Sequence, residues 1–163
     1  MPVPSAVDSY HSTSRTDQFA GRLLIIEDDV ACSMLIGRVA EKAGFAVRST
    51  GNLEEALNLL RSGRYDCITL DLLLGKSSAI PLFRIVVETA PATPIIIITG
   101  SPDWTRYSAV SLSKAARLNV VASITKPIDL GDLREILTSI RECKATTASG
   151  AGASRSEATA YPG

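Results

Sequence analysis

The groups in this chain with most chemistry to offer are carboxylates, a hydroxyl and an ammonium, and each closes an apolar run. Glu27-Asp28-Asp29 follows Leu23-Leu24-Ile25-Ile26, and Asp71 follows Cys67-Ile68-Thr69-Leu70. Thr99 follows Pro94-Ile95-Ile96-Ile97-Ile98, and Lys126 follows Val120-Val121-Ala122-Ser123-Ile124-Thr125. Taken alone each is a weak signal; Asp71 by itself serves as readily as a helix cap or a solvated loop acid. Taken together they are complementary. Clustered carboxylates repel one another unless a cation joins them, and hard oxygen ligands select Mg²⁺. A lysine and a hydroxyl nearby are what a phosphoryl group on a carboxylate requires, a positive charge and a donor for its oxygens.

These groups meet only if the elements that carry them end side by side. The four runs are short, continuous and rich in β-branched residues, as doubly buried parallel strands are. Phe45-Ala46-Val47-Arg48 reads as a fifth, shorter strand. Between the strands, apolar residues recur at helical spacing. Cys32, Leu35, Ile36, Val39 and Ala43 form one stripe, stopped by Gly44; Leu53, Ala56, Leu57 and Leu60 form the next, stopped by Gly63. Asn52 with Glu55 resembles a capping box at the start of that second helix. Ile80, Phe83 and Val87 mark a third helix that ends before Pro91. Residues 103–118 form a weaker one holding Trp104 and Tyr107. Asp129 caps a last helix with Leu130, Leu133, Leu137 and Ile140 inward. Strand and helix alternate five times, which predicts an α/β fold: a five-stranded parallel, doubly wound sheet with helices on both faces. In such sheets ligands bind outside the carboxyl ends of the strands, where the acids, threonine and lysine would converge.

The chain has 163 residues, enough for one domain over residues 21–143 with tails. Residues 1–20 are poor in large apolar side chains and read as a disordered arm; residues 144–163 are mostly Ala, Ser, Thr and Gly and read as a flexible tail. The single histidine, His11, lies in that arm with no group to tune it. Net charge is zero and aromatics are 5% of residues, so nothing favours nucleic acid or an anionic membrane. Cys32, Cys67 and Cys143 form no CxxC pair and are odd in number, so neither zinc nor a disulfide framework is expected; Cys32 and Cys67 read as small core residues, and a reducing cytoplasm suits all three. The longest aliphatic run is far too short to span a bilayer, and no secretory signal is visible.

Leu-Leu-Ile-Ile-Glu-Asp-Asp, Cys-Ile-Thr-Leu-Asp-Leu-Leu-Leu, Ile-Ile-Ile-Ile-Thr-Gly and Ile-Thr-Lys-Pro together resemble the receiver domain of two-component response regulators, from Arg22 to about Arg141. The resemblance implies the flavodoxin-like strand order. It makes Asp71 the phosphoacceptor, with Thr99 the switch hydroxyl and Lys126 the phosphate-pairing lysine. Glu27 and Asp28, with the Leu73 backbone carbonyl, would hold Mg²⁺ beside Asp71. Glu27-Asp28 is preferred to Asp28-Asp29 as the acidic pair because four apolar strand residues lead directly to Glu27; Asp29 then begins the helix. The Lys126-Pro127 bond is a candidate for the cis isomer. Implied partners are a sensor histidine kinase or phosphotransfer protein and a downstream protein effector, with no direct nucleic-acid or membrane contact. The chain would be a signalling protein rather than an enzyme, with at most weak self-phosphorylation and self-dephosphorylation.

Some positions depart from the family pattern. Gly75 stands where a proline is usual and Ala79 where a glycine is usual. Ser123 stands where an aromatic switch residue is common, which bears on whether the threonine switch operates. Two other functions are open to the same sequence. An aspartate-nucleophile phosphohydrolase needs a second acid two residues after the nucleophile, and Leu73 there cannot transfer protons. A phosphorylation-independent interaction module on the same fold is the other, since a fold does not fix a function.

Overall fold

A computed structural model describes residues 21–100 and 117–150. The arm expected over residues 1–20 and most of the helix expected over residues 103–118 lie outside the described residues. The elements in chain order are β1 (Gly21–Ile26), α1 (Val30–Lys42), β2 (Phe45–Thr50), α2 (Leu53–Ser62), β3 (Cys67–Leu70), a two-residue pair β4 (Leu73–Leu74) and β5 (Ser77–Ser78), α3 (Ile80–Thr89), β6 (Ile95–Thr99), β7 (Val120–Thr125) and α4 (Leu130–Gly150). The main sheet is parallel throughout, in the order β2-β1-β3-β6-β7. This is the doubly wound sheet expected from the sequence, in the strand order that the resemblance implies.

The continuous apolar runs follow from burial on both faces. Leu24, Ile26, Ile68, Leu70, Ile95 and Ile97 pack toward α2 and α3, with Leu60, Leu82, Phe83 and Val86. Their chain neighbours Leu23, Ile25, Cys67, Ile96 and Ile98 pack toward α1 and α4, with Ile36, Ala40, Leu133 and Leu137. Successive strand residues point to opposite faces, so a strand buried on both faces is apolar at nearly every position. Each fully buried aliphatic side chain contributes about 1.5–3 kcal/mol of transfer free energy.

The expected helix stripes need correction by a residue or two. On α1, Ala40 is buried while Leu35 is exposed; on α3, Leu82, Ile85 and Val86 join Phe83 in the core and Val87 is only half-buried; on α4, Leu130 is exposed. These helices carry more apolar residues than one face can bury, so spacing alone does not fix the phase. α1 is closed by Gly44 at φ +90°, a left-handed conformation that glycine adopts without strain. At α2, Asn52 Oδ1 accepts from the N–H of Glu54 (2.8 Å) and Glu55 (3.0 Å). The return half of the capping box is relayed. Thr50 Oγ1 donates to Glu55 Oε2 (2.7 Å) and accepts from Asn52 N–H (3.1 Å).

The tail expected from Lys144 is helical as far as Gly150, as the end of α4; residues 151–163 lie outside the described residues. Alanine is the strongest helix former, and here it outweighs threonine, which ranks low. Thr146 and Thr147 return their hydroxyls to the carbonyls of Glu142 (3.1 Å) and Cys143 (2.8 Å). Lys144 pairs with Asp66, whose other oxygen accepts the Arg22 N–H at 2.7 Å. The end of α4 is thereby tied to the start of the sheet. No helix among the described residues is long and apolar enough to cross a membrane.

Candidate functional site

The parallel sheet delivers the expected groups to one edge, and its ladders extend one residue past the strands to hold them. Glu27 N–H donates to Thr50 C=O (2.9 Å), Asp71 N–H to Ile26 C=O (2.9 Å) and Lys126 N–H to Thr99 C=O (3.0 Å). The backbone of each site residue is therefore fixed by the neighbouring strand. Carboxylate oxygens of Glu27, Asp28 and Asp71 lie within 4.8 Å of one another. Glu27 and Asp71 are buried, Asp28 is exposed, and Thr99 is buried at the end of β6.

Lys126 reaches into this cluster. Its Nζ lies 2.6 Å from Asp71 Oδ2 and 2.7 Å from Glu27 Oε2, and it donates to Glu27 Oε1 at 2.9 Å. Burial alone would lower the lysine's pKa. The hydrogen bonds it donates to Asp71 and Glu27, with their negative charges, outweigh it and hold the pKa above the ordinary lysine value. Three carboxylates against one ammonium still leave two negative charges in the cluster. Glu27 Oε2 is buried and, among the described residues, meets the Lys126 ammonium at 2.7 Å with no hydrogen-bond donor aligned on it. A buried carboxylate oxygen with capacity to spare, in an all-oxygen set with excess negative charge, suits a hard divalent cation.

The loops complete the arrangement. Asp29 caps α1, its Oδ1 accepting the Cys32 N–H at 2.9 Å, so its carboxylate is committed to the helix and the cluster takes Glu27 and Asp28. Asp71 Oδ1 accepts the Leu73 N–H at 2.9 Å, which holds Leu73 beside the aspartate. The Lys126-Pro127 bond is cis. Ser123 is exposed on β7.

Two features of the site were not foreseen. Cys32, read as a core residue, is half-buried; burial, with the negative Glu27 carboxylate nearby, pushes its thiol up to about 12. The segment after Asp71 is a hairpin, with Leu73 opposite Ser78 and Leu74 opposite Ser77. Its signal was in the sequence, since Gly-Lys between two apolar and two polar residues fits a two-residue hairpin connection. Gly75 N–H donates to Asp28 Oδ2 at 2.8 Å, joining that hairpin to the acidic cluster.

Comparison with known proteins agrees with this geometry. The family model for the response regulator receiver domain matches residues 23–138. The chain is 30% identical over 118 residues to the response regulator protein PilR of Pseudomonas aeruginosa, across 71% of this chain and 25% of that protein. It is 38% identical over 82 residues to the cell cycle transcriptional regulator CtrA of Caulobacter vibrioides, across 50% of this chain and 36% of that one. It spans a quarter to about half the length of such curated relatives. Among solved structures, a response regulator from Burkholderia pseudomallei with a phosphorylated aspartic acid, calcium ion and citrate superposes with a TM-score of 0.59 at 27% identity, over 79% of this chain and 74% of that one. A CheY-like receiver domain protein from Methanospirillum hungatei gives 0.66 at 22% identity, over 77% and 97%.

Proposed function

The chain belongs to the response regulator receiver family, and from that premise we propose that Asp71 accepts a phosphoryl group from a sensor histidine kinase or phosphotransfer protein. The observation that carries this reading is the position of Lys126, whose ammonium bridges Asp71 (2.6 Å) and Glu27 (2.7 Å) at the rim of the acidic cluster. The Asp71 carboxylate attacks phosphorus in line, forming an acyl phosphate as the bond from phosphorus to the donor breaks. Glu27, Asp28, Asp71 and the Leu73 carbonyl would hold Mg²⁺, which when bound supplies the positive charge that lets an anionic donor approach an acidic site. Lys126 then pairs with a phosphoryl oxygen, and the Thr99 hydroxyl, buried at the end of β6, donates to another. The added charge biases a surface toward or away from a downstream protein, so that output passes through protein contact in the cytoplasm.

The test is incubation with a small phosphodonor and Mg²⁺, read by intact mass. One stable phosphoryl group is expected on the wild-type chain and none on Asp71→Asn, a nearly isosteric change. Chelation of the metal should stop labelling. A fully labelled Asn variant, or labelling at the normal rate without metal, would sink the assignment. Continuous turnover would favour the phosphohydrolase reading, and no labelling at all the interaction module.

A further inference from the structure

Gly75 stands where resembling chains usually carry proline, and its backbone does two things proline cannot. Its φ is +62°, whereas the proline ring locks φ near −65°. Its N–H donates to Asp28 Oδ2 at 2.8 Å, and proline has no N–H. Both features follow from the hairpin. Gly75 and Lys76 form its two-residue connection between Leu74 and Ser77, and among the described residues no residue other than glycine has positive φ. A positive φ at the first connecting residue alone is the signature of a glycine-first primed turn. Such a turn leaves the first amide pointing outward, and here it meets Asp28.

Asp28 is the member of the acidic cluster that needs such a donor. Glu27 and Asp71 are buried and tied to Lys126; Asp28 is exposed and has no ion pair among the described residues. An exposed carboxylate samples several rotamers, and binding an ion through it means giving that freedom up. We propose that Gly75 is a positioning residue for the metal. Its amide holds one oxygen of Asp28 in place and leaves the other for an ion shared with Glu27 and Asp71. The departure from proline thus serves the site, through a contact that proline could not make. This inference rests on the phosphoacceptor reading above.

The experiment titrates the full chain with Mg²⁺ alone by calorimetry, with thermal melting to check the fold. Gly75→Asn keeps the N–H and tolerates left-handed φ. A β-carbon there would meet Asp28 Oδ2 at 3.8 Å, an ordinary contact. This variant should bind Mg²⁺ within about twofold of wild type. Gly75→Pro loses both features and should bind about ten- to a hundredfold more weakly, the usual effect of removing a group that orients a metal ligand. A second measurement needs no metal and no change at Gly75. By NMR, the Gly75 amide should exchange slowly with solvent in the wild-type chain and faster in Asp28→Ala. Gly75→Pro binding Mg²⁺ as tightly as wild type, or equal exchange of the Gly75 amide in wild type and Asp28→Ala, overturns the proposal. Either result, in a chain that binds Mg²⁺ and labels on Asp71, leaves the phosphoacceptor reading standing. A wild-type chain that binds no Mg²⁺ overturns both.

Discussion

Replacing Lys126 with methionine keeps most of the side-chain volume and removes the ammonium, which strands Glu27 and Asp71. They are 3% and 6% exposed, so neither is well solvated in the folded chain. Removing one partner of a buried ion pair costs about 3–5 kcal/mol. Lys126 itself is 24% exposed at the side chain and Asp28 opens the cluster to water, which places this case near the lower end, at about 3 kcal/mol. For a domain of this size that lowers Tm by roughly 10 °C. The pH dependence has a definite sign. The lysine's pKa is raised above its ordinary 10.5 in the folded chain, so folding holds the proton more tightly. Its contribution is complete below pH 10.5 and fades as pH rises beyond it. Wild type and Lys126→Met should melt well apart at pH 8 and draw together above pH 10.5. Excess negative charge in the variant also gives Mg²⁺ more to offset, so the ion should raise its Tm more than that of wild type. The assay is melting by circular dichroism across this pH range, with chelator or with Mg²⁺. Equal Tm values at pH 8 in chelator, or a gap that persists unchanged at the alkaline end, would refute the reasoning.

Two further expectations concern β3 and the hairpin. Thr69 is 1% exposed, beside Ile25 and Ile96 in the sheet, and its hydroxyl has no hydrogen-bond partner among the described residues. Thr69→Val should therefore stabilise the fold by about 1 kcal/mol; a lower melting temperature would show that the hydroxyl is satisfied. Leu73 offers no polar group beside Asp71 to orient an attacking water, so the phosphoform should decay slowly. Leu73→Asn should speed the loss of phosphate about tenfold, a barrier change of only about 1.4 kcal/mol, measured as decay after donor removal at constant Mg²⁺. Equal or slower decay in the variant would show that Leu73 does not control water access.

Much of the fold was legible because the sheet is buried on both faces. Leu23-Leu24-Ile25-Ile26 and Ile95-Ile96-Ile97-Ile98 have no polar interruption, and only a doubly covered parallel strand uses such a run well. Helix phase was less legible. Leu35 and Leu130 fit the helical spacing yet are exposed at 45% and 40%, while Ala40, a weaker hydrophobic signal, is fully buried. The closeness of a helix to the sheet decides which small residue sits in the interface, and spacing carries no information about that distance. The end of α4 was misread for a different reason. Ala, Ser and Thr suggest a flexible tail by composition, but alanine propensity and the Lys144–Asp66 contact favour helix, and the threonine hydroxyls are satisfied on its carbonyls. Composition reports what a segment cannot bury, not what it can hydrogen-bond.

The site divides along the same line. Residues that close strands were legible, because the register of a parallel sheet brings the ends of β1, β3, β6 and β7 to one edge whatever the loops do. Glu27, Asp71, Thr99 and Lys126 needed only the strand assignment. What the loops contribute depends on backbone direction, which side-chain types do not encode. Gly75 looked like the loss of a proline because a sequence displays side chains, and glycine has none. Its contribution is an amide and a φ of +62°, both invisible until Leu73-Leu74 folds back on Ser77-Ser78. Cys32 was read as core because its neighbours are apolar, yet its thiol lies in the field of Glu27, a buried carboxylate from the adjacent strand end. In both cases what was missed joins residues of different elements, which spacing within one element does not reveal. A departure from a family's usual residue is therefore best tested for what its backbone newly permits before it is counted as a loss.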